Sequence, residues 1–149
     1  MNVAVTGKAI PRFSRRDVAA FTRKTVAALR GLDRLSFVLS DATIAIVDDG
    51  AMQALNKRFR QEDRTTDVLT FPADDSYADP KGKGRPLGDI VISIDRARRQ
   101  AAEERHSLAT EIRHLILHGV LHALGYDHET DRGEMNALEL ELRTAVGLR

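Results

Sequence analysis

Apolar residues recur along this chain with two periods, one of a strand and one of a helix, and their succession lays out the elements. Asn2 to Thr6 alternates apolar and polar and predicts a short first strand. Ser14 with Asp17 reads as a capping pair, and Val18, Phe21 and Leu29 among alanines predict a helix that Gly31 closes. Leu35 to Leu39 is apolar but too short to assign. Thr43 to Val47 predicts a strand ending in a turn at Asp48, Asp49 and Gly50, and a helix follows from Ala51 to about Arg58, with Met52, Leu55 and Phe59 at helical spacing. Val68 to Phe71 and Ile90 to Ile94 predict two more strands, the second with Ile90, Ile92 and Ile94 on one face. Residues 73 to 86, rich in Gly, Pro, Asp and Lys, have the composition of a mobile loop between them.

The last third is helical. Asp95 is placed to cap a helix reaching about Arg105, Ser107 to cap the next, and Asp131 with Glu134 to cap a final one that buries Met135, Leu138, Leu142 and Ala145. No internal repeat or interdomain linker interrupts the pattern. The expected architecture is α+β (mixed α/β): one domain over residues 1 to 149, with a small mixed sheet packed by helices.

One of these helices is unusual, because from His114 to Leu124 it has no polar side chain except histidine. A helix apolar nearly all round is a buried one. On its wheel Leu108, Ile112, Leu115, Gly119 and Ala123 form one face and Leu117, Leu121 and Leu124 another, with His114, His118 and His122 as a stripe between. A buried imidazole without a partner is costly, and a metal ion satisfies it.

The run HGVLHALGYDH from His118 to His128 gives that idea a geometry. Side chains four apart on a helix leave the same face, about 5 to 6 Å apart at Cβ. That lets His118 and His122 converge on one ion at roughly 2.0 to 2.1 Å each. Gly125 tolerates the left-handed conformation that ends a helix, so His128 can swing back as the third ligand. Three protein ligands leave a tetrahedral ion an open position, the mark of a catalytic site. A class of zinc proteases shares the spacing but carries a glutamate base after the first histidine, where this chain has Gly119. His114 lies a turn too early for the set and is either a partner to a ligand or a packed side chain, while His106 reads as a solvated loop residue.

Composition narrows the donors. The chain has no cysteine, so any metal is held by nitrogen and oxygen ligands, which suits zinc or a harder divalent ion. A net charge of +1 leaves polyanion binding to local patches: Lys57 to Arg60, Lys81 to Arg85 and Arg96 to Arg99. The N-terminus lacks a basic start followed by an apolar run, and no stretch approaches membrane-spanning length, so a cytoplasmic location is expected.

Three separated segments then agree with one family: LNKRFRQEDRTTDVLTFP from Leu55 to Pro72, LGDIVISID from Leu87 to Asp95, and HLILHGVLHALGYDH from His114 to His128. In their order and spacing the chain resembles the bacterial rRNA maturation factors of the YbeY type, a family of zinc-dependent endoribonucleases. The likeness covers most of the chain from about Ile44 onward and is weak before it. It implies Zn2+ on His118, His122 and His128, and a functional arginine at Arg60. Thr70 stands where family members often have serine, with a hydroxyl kept. The resemblance further implies cleavage of single-stranded RNA, a part in small-subunit rRNA 3′-end processing, association with the ribosomal small subunit or its assembly factors, and a cytoplasmic location.

In that setting a zinc-bound water would ionise near neutral pH beside a phosphate that the Arg60 fork holds. No residue stands out as a general base. Asp127 is placed either to orient a ligand imidazole or to form the turn, while Asp67 and Asp89 read as turn or strand-edge residues. Two rivals share the cage: a peptidase or small-molecule hydrolase, which Gly119 disfavours, and a ribosome assembly factor with a mainly structural metal whose fourth position a buried carboxylate such as Glu129 fills.

Overall fold

The computed structural model describes residues 1–73 and 84–148. In chain order the elements are β1 (Asn2–Gly7), α1 (Arg15–Gly31), β2 (Asp41–Val47), α2 (Asp49–Arg60), β3 (Val68–Pro72), β4 (Gly88–Ser93), α3 (Ile94–Glu104), α4 (Leu108–Ala123) and α5 (Glu134–Val146). The sheet order is β1-β2-β4-β3, with β1, β2 and β4 parallel and β3 antiparallel to β4 at the edge. This is the mixed sheet with helices that the periodicities predict.

Alternation along the strands divides the core in two. Ile44 and Ile46 pair in register with Ile90 and Ile92, and all four are buried in the larger cluster with α1, α4 and α5. Their neighbours Ala45, Val47 and Val91 point the other way, joining Leu69 and Met52 beneath α2. α4 is therefore sandwiched between the sheet and the outer helices, with Ile112, Ile116, Leu117, Val120 and Leu121 fully buried. That burial fixes the helix that carries two of the histidines.

Several boundaries differ from the sequence expectation, each for a capping reason. Asp48 is not part of a turn before α2 but its N-cap, accepting from the Ala51 amide at 2.8 Å, so the helix starts at Asp49 and runs on to Arg60. β4 stops at Ser93, whose Oγ accepts from the Arg96 amide at 3.2 Å, and Ile94 is the first helical residue. Asp95 is thus inside α3, where it accepts from the Asp49 amide at 2.8 Å and ties α2 to α3. Gly133 occupies the N-cap of α5, although Asp131 still accepts from the Gly133 and Met135 amides. Ala145 is exposed and Val146 takes its place on the buried stripe, because Leu138, Leu142 and Val146 follow strict four-residue spacing. Leu35 and Leu39 are buried without forming a strand of the sheet.

Most of the loop from 73 to 86, including Lys81, lies outside the described residues. Among those described, no helix is long and apolar enough to cross a membrane.

Candidate metal centre

His118 and His122 project from one face of α4 with their Nε2 atoms 3.0 Å apart and their ring centroids 4.5 Å apart. The helix closes on Gly125, whose φ of 99° is left-handed, with the Gly125 amide donating to the His122 carbonyl and the Tyr126 amide to the Leu121 carbonyl. This reversal brings the His128 ring to 5.7 Å from each of the other two. One nitrogen from each of the three imidazoles lies within 4.8 Å of the others, and no other group of three such side chains does so among the described residues. Asp127 serves the turn: its Oδ1 accepts from the Glu129 amide at 3.0 Å.

The donor set fits a divalent ion. Two Nε2 lone pairs facing each other at 3.0 Å repel unless a proton or a cation lies between them. Burial, then the charges of His118 and His128, hold the His122 pKa below its ordinary 6.5, which keeps the ring neutral and able to ligate. Three imidazoles without a thiolate match zinc or a similar borderline ion.

The triad opens into a cleft of about 220 Å³ whose far wall includes Arg60, Thr66, Asp67, Val68 and Thr70. Arg60 is the last residue of α2 and is followed by Gln61 in the left-handed conformation, which turns the chain toward β3. Buried Asn56 secures the turn by donating from Nδ2 to the Arg64 carbonyl at 2.9 Å. Thr65 and Ser93 both donate to Asp49 Oδ1, at 3.0 and 2.7 Å, and Arg99 pairs with its Oδ2 at 2.9 Å. The Ser93 hydrogen bond leads the set of contacts that outweighs desolvation and lowers the Asp49 pKa. Arg60 itself has no hydrogen bond or ion pair among the described residues and stands exposed at the cleft. Arg98 and Arg99, by contrast, are held by Asp95 and Asp49.

The profile of the family described as "Endoribonuclease YbeY" matches residues 11–147. The chain belongs to that family. A YbeY endoribonuclease of Nautilia profundicola is 53% identical over 108 residues, 72% of this chain and 73% of the relative. One of Solibacter usitatus is 43% identical over 140 residues, covering 94% of this chain and 79% of the relative. The solution structure of TM1509 from Thermotoga maritima has the same fold, with a TM-score of 0.61 at 22% identity over 97% of this chain and 88% of its own.

Within this YbeY-family chain, the remaining candidates fall into place around the cleft. Asp67 lines it, with its carboxylate engaged by the Val68 amide and Gln100, whereas Asp89 is exposed on β4 and does not. Glu129 lines the cleft too but is exposed, so it is not the buried carboxylate that a closed structural site would require. His114 stays outside the triad, stacked at 5.6 Å on His106. His106 is not a solvated loop residue: its Nε2 lies 2.7 Å from Oε1 of buried Glu111.

Gly119 owes its identity to packing, since a Cβ there would stand 2.7 Å from Ile90 Cγ2. The helix touches the sheet at that point, and no side chain fits. Sequence reasoning missed Glu139. It lies on α5 with Oε1 3.6 Å from His118 Nδ1 and 3.6 Å from Arg143 Nη2. Its only signal in the sequence was a carboxylate beside the apolar stripe of Met135, Leu138 and Leu142.

Proposed function

We propose that this chain is a zinc-dependent endoribonuclease of single-stranded RNA, formed as one domain over residues 1–149, that matures the 3′ end of small-subunit rRNA in the cytoplasm in association with the ribosomal small subunit or its assembly factors. The observation that carries the reading is the shared cleft: three converging imidazoles on one wall and an uncommitted guanidinium, Arg60, on the other. Membership of the endoribonuclease YbeY family supports RNA as the substrate.

His118, His122 and His128 would hold the ion. When bound, zinc polarises a phosphoryl oxygen and acidifies a coordinated water. The protein's own part is electrostatic and positional. Arg60 presents two parallel N–H donors that match the non-bridging oxygens of a phosphodiester, and charge growing on those oxygens strengthens both bonds. Thr70 lines the same wall and offers a hydroxyl donor to the sugar-phosphate chain, while the Thr66 hydroxyl is directed to Asp67 Oδ1 at 3.5 Å. The left-handed turn at Gln61 and the Asn56 tether hold the backbone of Arg60 at the rim.

The peptidase alternative lacks the glutamate base that zinc proteases carry at position 119, where an added Cβ would stand 2.7 Å from Ile90 Cγ2. The direct test compares cleavage of single-stranded RNA, duplex RNA and casein, with and without chelator and added zinc. Zinc-restored cleavage of the single strand alone supports the reading, while chelator-resistant cleavage sinks it. The product ends then distinguish water from the RNA's own 2′-hydroxyl as nucleophile, since the latter leaves a cyclic 2′,3′-phosphate.

A further inference from the structure

We propose that Glu139 is the positioning residue of the metal centre, accepting the Nδ1 proton of His118 so that Nε2 is the nitrogen turned to the ion. The inference rests on the metal-site reading given above and adds a residue from a different helix to it.

The geometry separates the two nitrogens of His118. Its Nε2 faces His122 Nε2 at 3.0 Å, on the cleft side, and its Nδ1 faces Glu139 Oε1 at 3.6 Å, on the side of α5. A metal-ligating imidazole characteristically gives its other N–H to a carboxylate or carbonyl, which fixes the tautomer and raises the basicity of the ligating nitrogen. At 3.6 Å the two atoms are neighbours at a separation longer than a formed hydrogen bond. Asp127, the acidic residue inside the histidine motif, already has Oδ1 committed to the Glu129 amide.

Glu139 is held in a largely apolar setting within reach of the ligand ring. Its side chain is only 15% exposed, and its neighbours on α5 are the buried Met135, Leu138 and Leu142. Removing one partner of a buried ion pair destabilises a fold because the other charge is left uncompensated, so loss of Glu139 also strands Arg143. Arg143, one turn along α5, holds the carboxylate from the other side at 3.6 Å, leaving Oε1 between a guanidinium and the ligand ring. A residue kept for folding alone leaves the zinc affinity of the folded protein unchanged on its replacement, whereas one kept for the metal lowers it.

The test uses the full chain with zinc as the only probe. Glu139→Leu and the isosteric Glu139→Gln are compared with the unaltered protein for zinc affinity, by competition with a chromophoric chelator, and for the His118 tautomer, by long-range proton–nitrogen NMR. We expect the unaltered protein to carry the His118 proton on Nδ1. Glu139→Leu should lose about 10–100-fold in zinc affinity, and Glu139→Gln, which keeps an acceptor but not the charge, should fall between. If Glu139→Leu does not fold, a drop in the affinity of folded Glu139→Gln supports the same positioning role. Affinities all within about twofold of one another, or a His118 proton on Nε2 in the unaltered protein, overturn the proposal. Neither readout involves RNA, so a protein whose zinc affinity depends on Glu139 but which leaves RNA intact refutes the nuclease reading and not this one.

Discussion

Gly119 on the helix bearing the histidines rests close against Ile90 of β4: an added methyl would sit 2.7 Å from Ile90 Cγ2. Gly119→Ala should therefore cost stability although alanine is the better helix former, by about 1–3 kcal/mol for overpacking. The check is the denaturant midpoint, with Ile90→Ala as the second arm of a double-mutant cycle. Because Ile90→Ala removes the clashing atom, the two changes should cost less together than their sum; strict additivity would contradict the contact.

Removing either helical ligand should remove metal and chemistry together. His122→Ala and His118→Ala are expected to purify without stoichiometric zinc and to fail in RNA cleavage, by metal analysis and a gel assay on the same samples. Full cleavage by a metal-free variant would end the assignment.

Arg60 separates binding of the ion from work on the phosphate. Arg60→Ala should retain zinc and an unchanged thermal transition yet lose on the order of 10²-fold in kcat/KM, the usual cost of deleting one donor aimed at a developing charge. Arg60→Lys should recover only part of this, since a point charge cannot make the two parallel bonds. A normal rate in Arg60→Ala would remove the clamp.

Acid should weaken the metal-free fold in a defined window. Burial holds the pKa of both His114 and His122 below 6.5, with the Arg143 charge adding to the first and His118 and His128 to the second. Below 6.5 the unfolded chain thus binds more protons than the folded one, and stability falls as pH drops until the folded rings also protonate. Asp49 adds its loss only in stronger acid, below its ordinary 3.8. Urea titrations of chelated protein from about pH 8 to about pH 5 should show the decline, and a flat profile would contradict the burial of these rings.

Much of this was legible in the residues because local rules and tertiary packing agree. Ser107 does cap α4, Gly125 does end it in the left-handed region, and the alternation of Ile90 and Ile92 does face the core. The misplaced boundaries come from neighbouring residues of equal capping ability: Ser93 precedes Asp95, and Asp48 precedes a glycine that imitates a turn. What could not be read was contact across long separations. Glu139 is 21 positions from His118, and Ile90 dictates Gly119 from another element. Periodicity reports which face is buried and is silent on what it is buried against.

The order of the strands also bears on the growing chain. β3, which carries Thr70, leaves the ribosome before β4, its sole sheet partner among the described residues, and His128 follows 68 residues behind Arg60. During synthesis the two walls of the cleft therefore never coexist until nearly the whole polypeptide has emerged, and a fragment released early carries the arginine without the cage.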